Sequence, residues 1–201
     1  MKTHLVLALS AFLSGCQGSN VTPSAQQSPQ GLDTKSEYLQ FSLPKESKVG
    51  YEAHSPSLHI VEYVKLSESV EQWTAMITII IQSRSSYSDL NDFFQIAPNR
   101  LRAGCAVEAT VESPKRFFDG PYPAGIQTAI CGRTKGFGQA EILILKAIEG
   151  KYGIYQMQYA WRLPPVADSR DIMFPEHARR GATEALAQAQ LCDRERPRPE
   201  C

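Results

Sequence analysis

Alternation of apolar and polar positions predicts most of the elements. Tyr38-Leu39-Gln40-Phe41-Ser42-Leu43 reads as a short strand stopped by Pro44, and a loop with Gly50 and Pro56 follows. From Leu58 to Val64, Leu58, Ile60 and Glu62 alternate with His59, Val61 and Tyr63, a strand pattern. Ser69-x-x-Gln72 has the form of a capping box and predicts one helical turn holding Val70 and Trp73. Met76 to Gln82 is an apolar, β-branched strand. Ser88 and Asp89 are N-cap residues for a helix whose apolar side is Leu90, Phe93, Phe94, Ala97 and Leu101, ending at Gly104-Cys105. Pro98 lies inside that pattern, so a kink or two short helices are expected.

In the second half, Ala106 to Glu112 alternates cleanly, with Val107, Ala109 and Val111 on one face. A long loop, Ser113 to Ala124, leads to a strand from Gly125 to Arg133. Pairing about the loop centre sets Ile126, Thr128 and Ile130 opposite Val111, Ala109 and Val107. Ala140 to Ile148 is nearly all apolar and predicts a central strand. A tight turn at Gly150-Lys151 returns the chain as Tyr152 to Arg162, with Tyr155, Met157, Tyr159 and Trp161 on one face. Pro164-Pro165 ends that strand. A last helix runs from near Pro175 to about Cys192, with Ala178, Ala182, Ala185, Ala189 and Cys192 as a small-residue stripe. The expected class is α+β: a mostly antiparallel sheet of about six to seven strands with two main helices packed against it. No internal repeat is present. The element order resembles small α+β sandwiches such as the photosystem PsbP-like group. No motif is shared, so the resemblance implies architecture and carries no function.

The N-terminus changes the picture. Met1-Lys2-Thr3-His4 precedes an apolar run, Leu5 to Phe12, that has signal-peptide length and is far short of the roughly 20 residues a spanning helix needs. It ends in Leu13-Ser14-Gly15-Cys16, which resembles the lipobox of bacterial lipoproteins. That resemblance implies cleavage after Gly15 and lipidation of Cys16. Several acyl chains anchor a protein stably where one does so only marginally. Gln17 rather than Asp after the Cys implies, by the same resemblance, outer-membrane sorting with the domain in the periplasm. Residues 17–35 are rich in Gln, Ser, Pro, Gly, Asn and Thr and read as a disordered tether, reaching roughly 25 Å as a flexible coil. The chain therefore divides into a signal peptide (1–15), lipidated Cys16 with its tether (16–35) and one α+β domain (36–201).

Loss of the signal peptide leaves 20 basic and 21 acidic residues. That balance gives no general attraction to nucleic acid. With Cys16 lipidated, Cys105, Cys131, Cys192 and Cys201 remain, an even count that in an exported chain implies two disulfides with three possible connectivities. The favoured one is Cys105–Cys131 with Cys192–Cys201, the latter closing a proline-containing tail; a zinc site is the competing use, without any Cys-x-x-Cys to support it. No Gly-x-Ser-x-Gly, phosphate loop or dinucleotide fingerprint occurs, and no cofactor is implied. Gly132-Arg133-Thr134-Lys135-Gly136 reads as a solvated basic turn. His54 and His59, with Glu52 and Glu62 nearby, do not show three ligands on one face and read as surface or edge histidines, and His177 as structural; no metal is expected. Glu108 and Glu112 stand about 13 Å apart on a strand face, too wide for paired-carboxylate glycoside hydrolysis. Arg194, Arg196 and Arg198 make the tail basic, diluted by Glu195 and Glu200. The most suggestive stretch is the loop Pro114 to Pro123, where Arg116, Phe117, Phe118 and Tyr122 are the residue types that dominate contact hot spots. The expected function is a membrane-anchored envelope lipoprotein with a non-catalytic binding or structural role and an envelope protein as partner. The alternative is an enzyme acting on an envelope polymer.

Overall fold

The computed structural model describes residues 36–197 and 201. Cys16, the signal peptide, the tether and Arg198 lie outside them. The strands are β1 (Glu37–Gln40), β2 (Ser47–Ser55), β3 (Leu58–Lys65), β4 (Ala75–Ser83), β5 (Thr110–Val111), β6 (Lys115–Asp119), β7 (Tyr122–Cys131), β8 (Ala140–Glu149), β9 (Gly153–Leu163) and β10 (Gln190–Asp193). The helices are α1 (Leu90–Gly104) and α2 (Glu176–Gln188). Among the described residues, eight strands form one antiparallel sheet in the order β2-β3-β4-β9-β8-β7-β5, with β6 also on β7, and β1 pairs with β10. The α+β class and the two helices therefore stand, and the strand count exceeds the six to seven expected from the sequence.

Strand parity divides the core in two. Leu143, Leu145 and Ala147 of β8 face α1, against Phe93, Phe94, Ala97 and Leu101. Ile144 and Ile148 face the other side, against Ala182 and Leu186 of α2. Each helix covers one face, and the β1–β10 ribbon extends the α2 layer through Leu39 and Leu191. Asp89 caps α1, its Oδ1 accepting from the Asp92 N–H at 2.8 Å. Glu149 Oε2 accepts from the Leu90 N–H, so the end of β8 also holds the start of this helix.

Several elements differ from the expectation set by the sequence. The region around Gly50, a loop by its pattern, is β2, an edge strand with a bulge at Gly50. Its side chains are largely exposed, which erases the alternation. Ser69 to Gln72 forms a turn, not a helical turn, closed by reciprocal backbone bonds between the two residues. Pro98 sits buried within a single helix. Of Ala106–Glu112, only Thr110–Val111 is strand, and Val111 opposes Ala129 rather than Ile126. The register is displaced because the segment Ser113–Ala124 is no simple loop: it contains β6, which occupies the edge of β7 beside Ile126. Glu108 accordingly lies outside any strand, and the strand-face spacing of Glu108 and Glu112 lapses. The last helix stops at Gln188, and Cys192 belongs to β10. Disulfides join Cys105 to Cys131 and Cys192 to Cys201. The first becomes possible because Cys105 has left the helix and bridges Thr134, beyond the end of β7.

Candidate functional site

The aromatic hairpin

Lys115 to Ala124 is a tight hairpin with Asp119 opposite Tyr122. Gly120 supplies the positive φ of 58° that a two-residue turn ahead of Pro121 requires. Strand alternation separates the four residues singled out in the sequence. Arg116 lies on the α1 side: its guanidinium stacks on the Phe94 ring at 4.2 Å and donates to the Leu90 carbonyl at 3.2 Å. Phe117 and Tyr122 belong to the α2 side, where Tyr122 packs on the core. Phe117 is 37% exposed and has the Lys146 ammonium 5.5 Å from its ring centre. Phe118 projects outward and is 74% exposed. The structure thus leaves Phe118 and part of Phe117 as free contact surface, and uses Arg116 and Tyr122 to seat the hairpin.

Lys146 fixes the hairpin tip. Its side chain is only 3% exposed and lies 2.6 Å from Asp119 Oδ2. It also donates to the Ala189 carbonyl at the end of α2, at 2.6 Å. Two charges removed from water are tolerated here because each meets the other and the ammonium gains a carbonyl at a helix C-terminus.

The buried carboxyls

The α1 side of the sheet holds charged groups that the sequence pattern did not bring together. Glu141 of β8 stands opposite Arg162 of β9. The Arg162 guanidinium lies between the rings of Trp73 and Phe137, at 4.0 and 3.8 Å from their centres, and donates to the Glu71 carbonyl. Glu62 and Glu141 are 3% and 2% exposed. Among the described residues, neither oxygen of Glu141 and not Oε1 of Glu62 has a hydrogen-bond partner. Burial pushes Glu62 up to about 7, with Arg162 pulling it back. Burial pushes Glu141 up to about 8; Arg162 opposes this and the Glu62 charge adds to it. Both carboxyls retain protons well above the usual range because desolvation of the ion outweighs attraction to the arginine.

Such carboxyls accompany catalysis in open clefts. Here the space beside Glu141 is about 10 Å³, lined by Leu101, Ala109, Ala129, Ile130, Cys131 and Leu143. That is room for about one water molecule and no substrate. The signal for these groups was parity: Glu141 shares a face with Leu143, Leu145 and Ala147 in a strand buried on both sides.

The histidines named in the sequence also have positions. His54 and His59 face each other across β2 and β3, and His59 Nε2 lies 2.9 Å from Glu52 Oε1. Ala106 donates its N–H to the Arg133 carbonyl, so the basic turn is held to the end of α1.

No family model matches the chain, and no curated protein matches it. One similar solved structure is described as the crystal structure of LpqN involved in cell envelope biogenesis of Mycobacterium tuberculosis. It is 10% identical, the match covers 80% of this chain and 86% of that one, and the TM-score is 0.41. At that level the likeness carries no argument about function. No helix among the described residues is long and apolar enough to cross a membrane.

Proposed function

We propose that this chain is a lipid-anchored protein of the bacterial cell envelope, held to the outer membrane through Cys16, whose non-catalytic domain binds an envelope protein through the tip of the β6–β7 hairpin. The Leu13-Ser14-Gly15-Cys16 motif supports the anchor, and two disulfides suit an exported chain. The observation that carries the binding role is Phe118, a large aromatic ring 74% exposed at a tip that is otherwise pinned. The Lys146–Asp119 pair and the Arg116–Phe94 stack hold the backbone beneath it. A pre-ordered aromatic loses little further entropy when a partner covers it.

Envelope-polymer hydrolysis is the competing reading, favoured by the raised pKa values of Glu62 and Glu141. Side chains this deeply enclosed meet no polymer, so the binding role is preferred.

Crosslinking in native membranes followed by pull-down tests the binding role. Wild type is compared with Phe117→Ala/Phe118→Ala, and with Met173→Ala as a control for another exposed apolar side chain. Loss of one discrete partner in the first variant alone is expected; identical recovery from all three refutes the hairpin site. Incorporation of a palmitate analogue, abolished by Cys16→Ser, tests the anchor, and label retained in that variant refutes it.

A further inference from the structure

We propose that His54 and His59 form a bidentate site for a divalent transition-metal ion of the copper–zinc class, with Glu52 orienting the His59 ring from behind. The site is independent of the hairpin and lies on the far edge of the sheet.

Antiparallel pairing brings the three residues together. His54 of β2 is directly opposite His59 of β3, so both side chains leave the same face. Glu52 lies two residues before His54 and shares that face. The chain spacing alone hides this, since the turn at Pro56 reverses the strand between the two histidines.

The ring separation suits one ion. Their centroids are 5.0 Å apart. Two imidazoles bound to one metal at N–metal distances of about 2.0–2.1 Å, with cis or tetrahedral angles, have centroids roughly 4.5–5 Å apart. The rings are near perpendicular, at 87°, an angle that two imidazoles on one ion can keep; with His59 held by Glu52, any adjustment falls to the exposed His54 ring and the strands need not move.

Glu52 sets the tautomer. A carboxylate only accepts, so at 2.9 Å the His59 Nε2 carries the proton and donates it. The Nδ1 lone pair is then free for a metal. A metal-bound histidine commonly has its second nitrogen held by a carboxylate in this way. His54 is exposed, and β2 is an edge strand, so an ion has open access. Among the described residues no three His, Cys, Asp or Glu side chains are gathered for a metal. The site accordingly has two protein ligands, and solvent completes the shell. Two neutral imidazoles favour copper, nickel and zinc over calcium or magnesium.

The test titrates the full chain in detergent micelles with Cu²⁺ and separately with Zn²⁺ by calorimetry, and records the electron paramagnetic resonance spectrum of the Cu²⁺ form. One ion per chain with two imidazole nitrogens is expected. His54→Ala and His59→Ala each weaken binding at least tenfold, and Glu52→Gln weakens it about tenfold through the loss of orientation. His177→Ala leaves it unchanged. Urea melts in chelator confirm that each variant is folded; if His59→Ala fails to fold, His54→Ala on the exposed edge decides. Unchanged affinity in His54→Ala, or a spectrum with fewer than two nitrogens, overturns the proposal.

Discussion

Replacing Glu141 by Gln tests the buried carboxyl cluster most directly. In the folded protein the Glu141 carboxyl titrates at about 8 rather than at 4.5, chiefly because burial penalises its ion. A group whose folded pKa is raised binds more protons in the native than in the unfolded state. Its contribution is therefore fully favourable below about pH 4.5 and declines as pH rises towards about 8. Across that window a step of one pH unit removes at most about 1.4 kcal/mol, and less near either end, which sets a ceiling of about 3–4 kcal/mol lost between pH 5 and pH 8. Relaxation around the ion lowers this to about 1.5–3 kcal/mol. Glutamine has no titration, so Glu141→Gln removes this slope and leaves the smaller one from Glu62. Urea unfolding at pH 5, 6, 7 and 8 measures both proteins. Stability of the variant relative to wild type should rise by about 1.5–3 kcal/mol across that range, whatever the offset at pH 5. Parallel curves, differing by less than about 0.5 kcal/mol in pH dependence, would show that Glu141 ionises in the fold as it does in water.

Other expectations follow from the same structure. Lys146→Met strands the Asp119 carboxylate and should cost about 3 kcal/mol in urea melts, most of it recovered in Lys146→Met/Asp119→Leu. Phe118→Ser should change stability by less than about 0.5 kcal/mol, whereas Phe93→Ala, at a fully buried ring, should cost about 3–5 kcal/mol by the same assay. Exchanging Cys105 and Cys131 together for Ser reopens a loop with a sequence separation of 26, and calorimetry should register a loss of about 3.5 kcal/mol on the chain-entropy model.

Periodicity locates the strands at the centre of the sheet well, because they are buried on both faces. β4 and β8 are mostly apolar runs with few polar positions, and the α1 cap at Asp89 and its buried side are written as local spacing. Edge and ribbon elements are less legible. β2 exposes Val49 and Tyr51 and is interrupted by its bulge, so its pattern resembles a loop. β10 continues the composition of α2, which has neither a terminal glycine nor a basic last turn to mark its stop. Only pairing with β1 makes it a strand.

The candidate sites divide in the same way. Sequence alone carries the lipobox-like Leu13-Ser14-Gly15-Cys16, the four cysteines that follow it and the concentration of aromatics in residues 114–123. These are properties of neighbouring residues or of counts. Tertiary structure decided that Arg116 and Tyr122 seat the hairpin while Phe118 stays free, that Glu141 meets Arg162, and that His54 meets His59. Each of those depends on register between strands, and a shift of one residue sends a side chain to the opposite face. Local spacing fixes which residues alternate; only the packed sheet fixes which face is enclosed and which charges must share it.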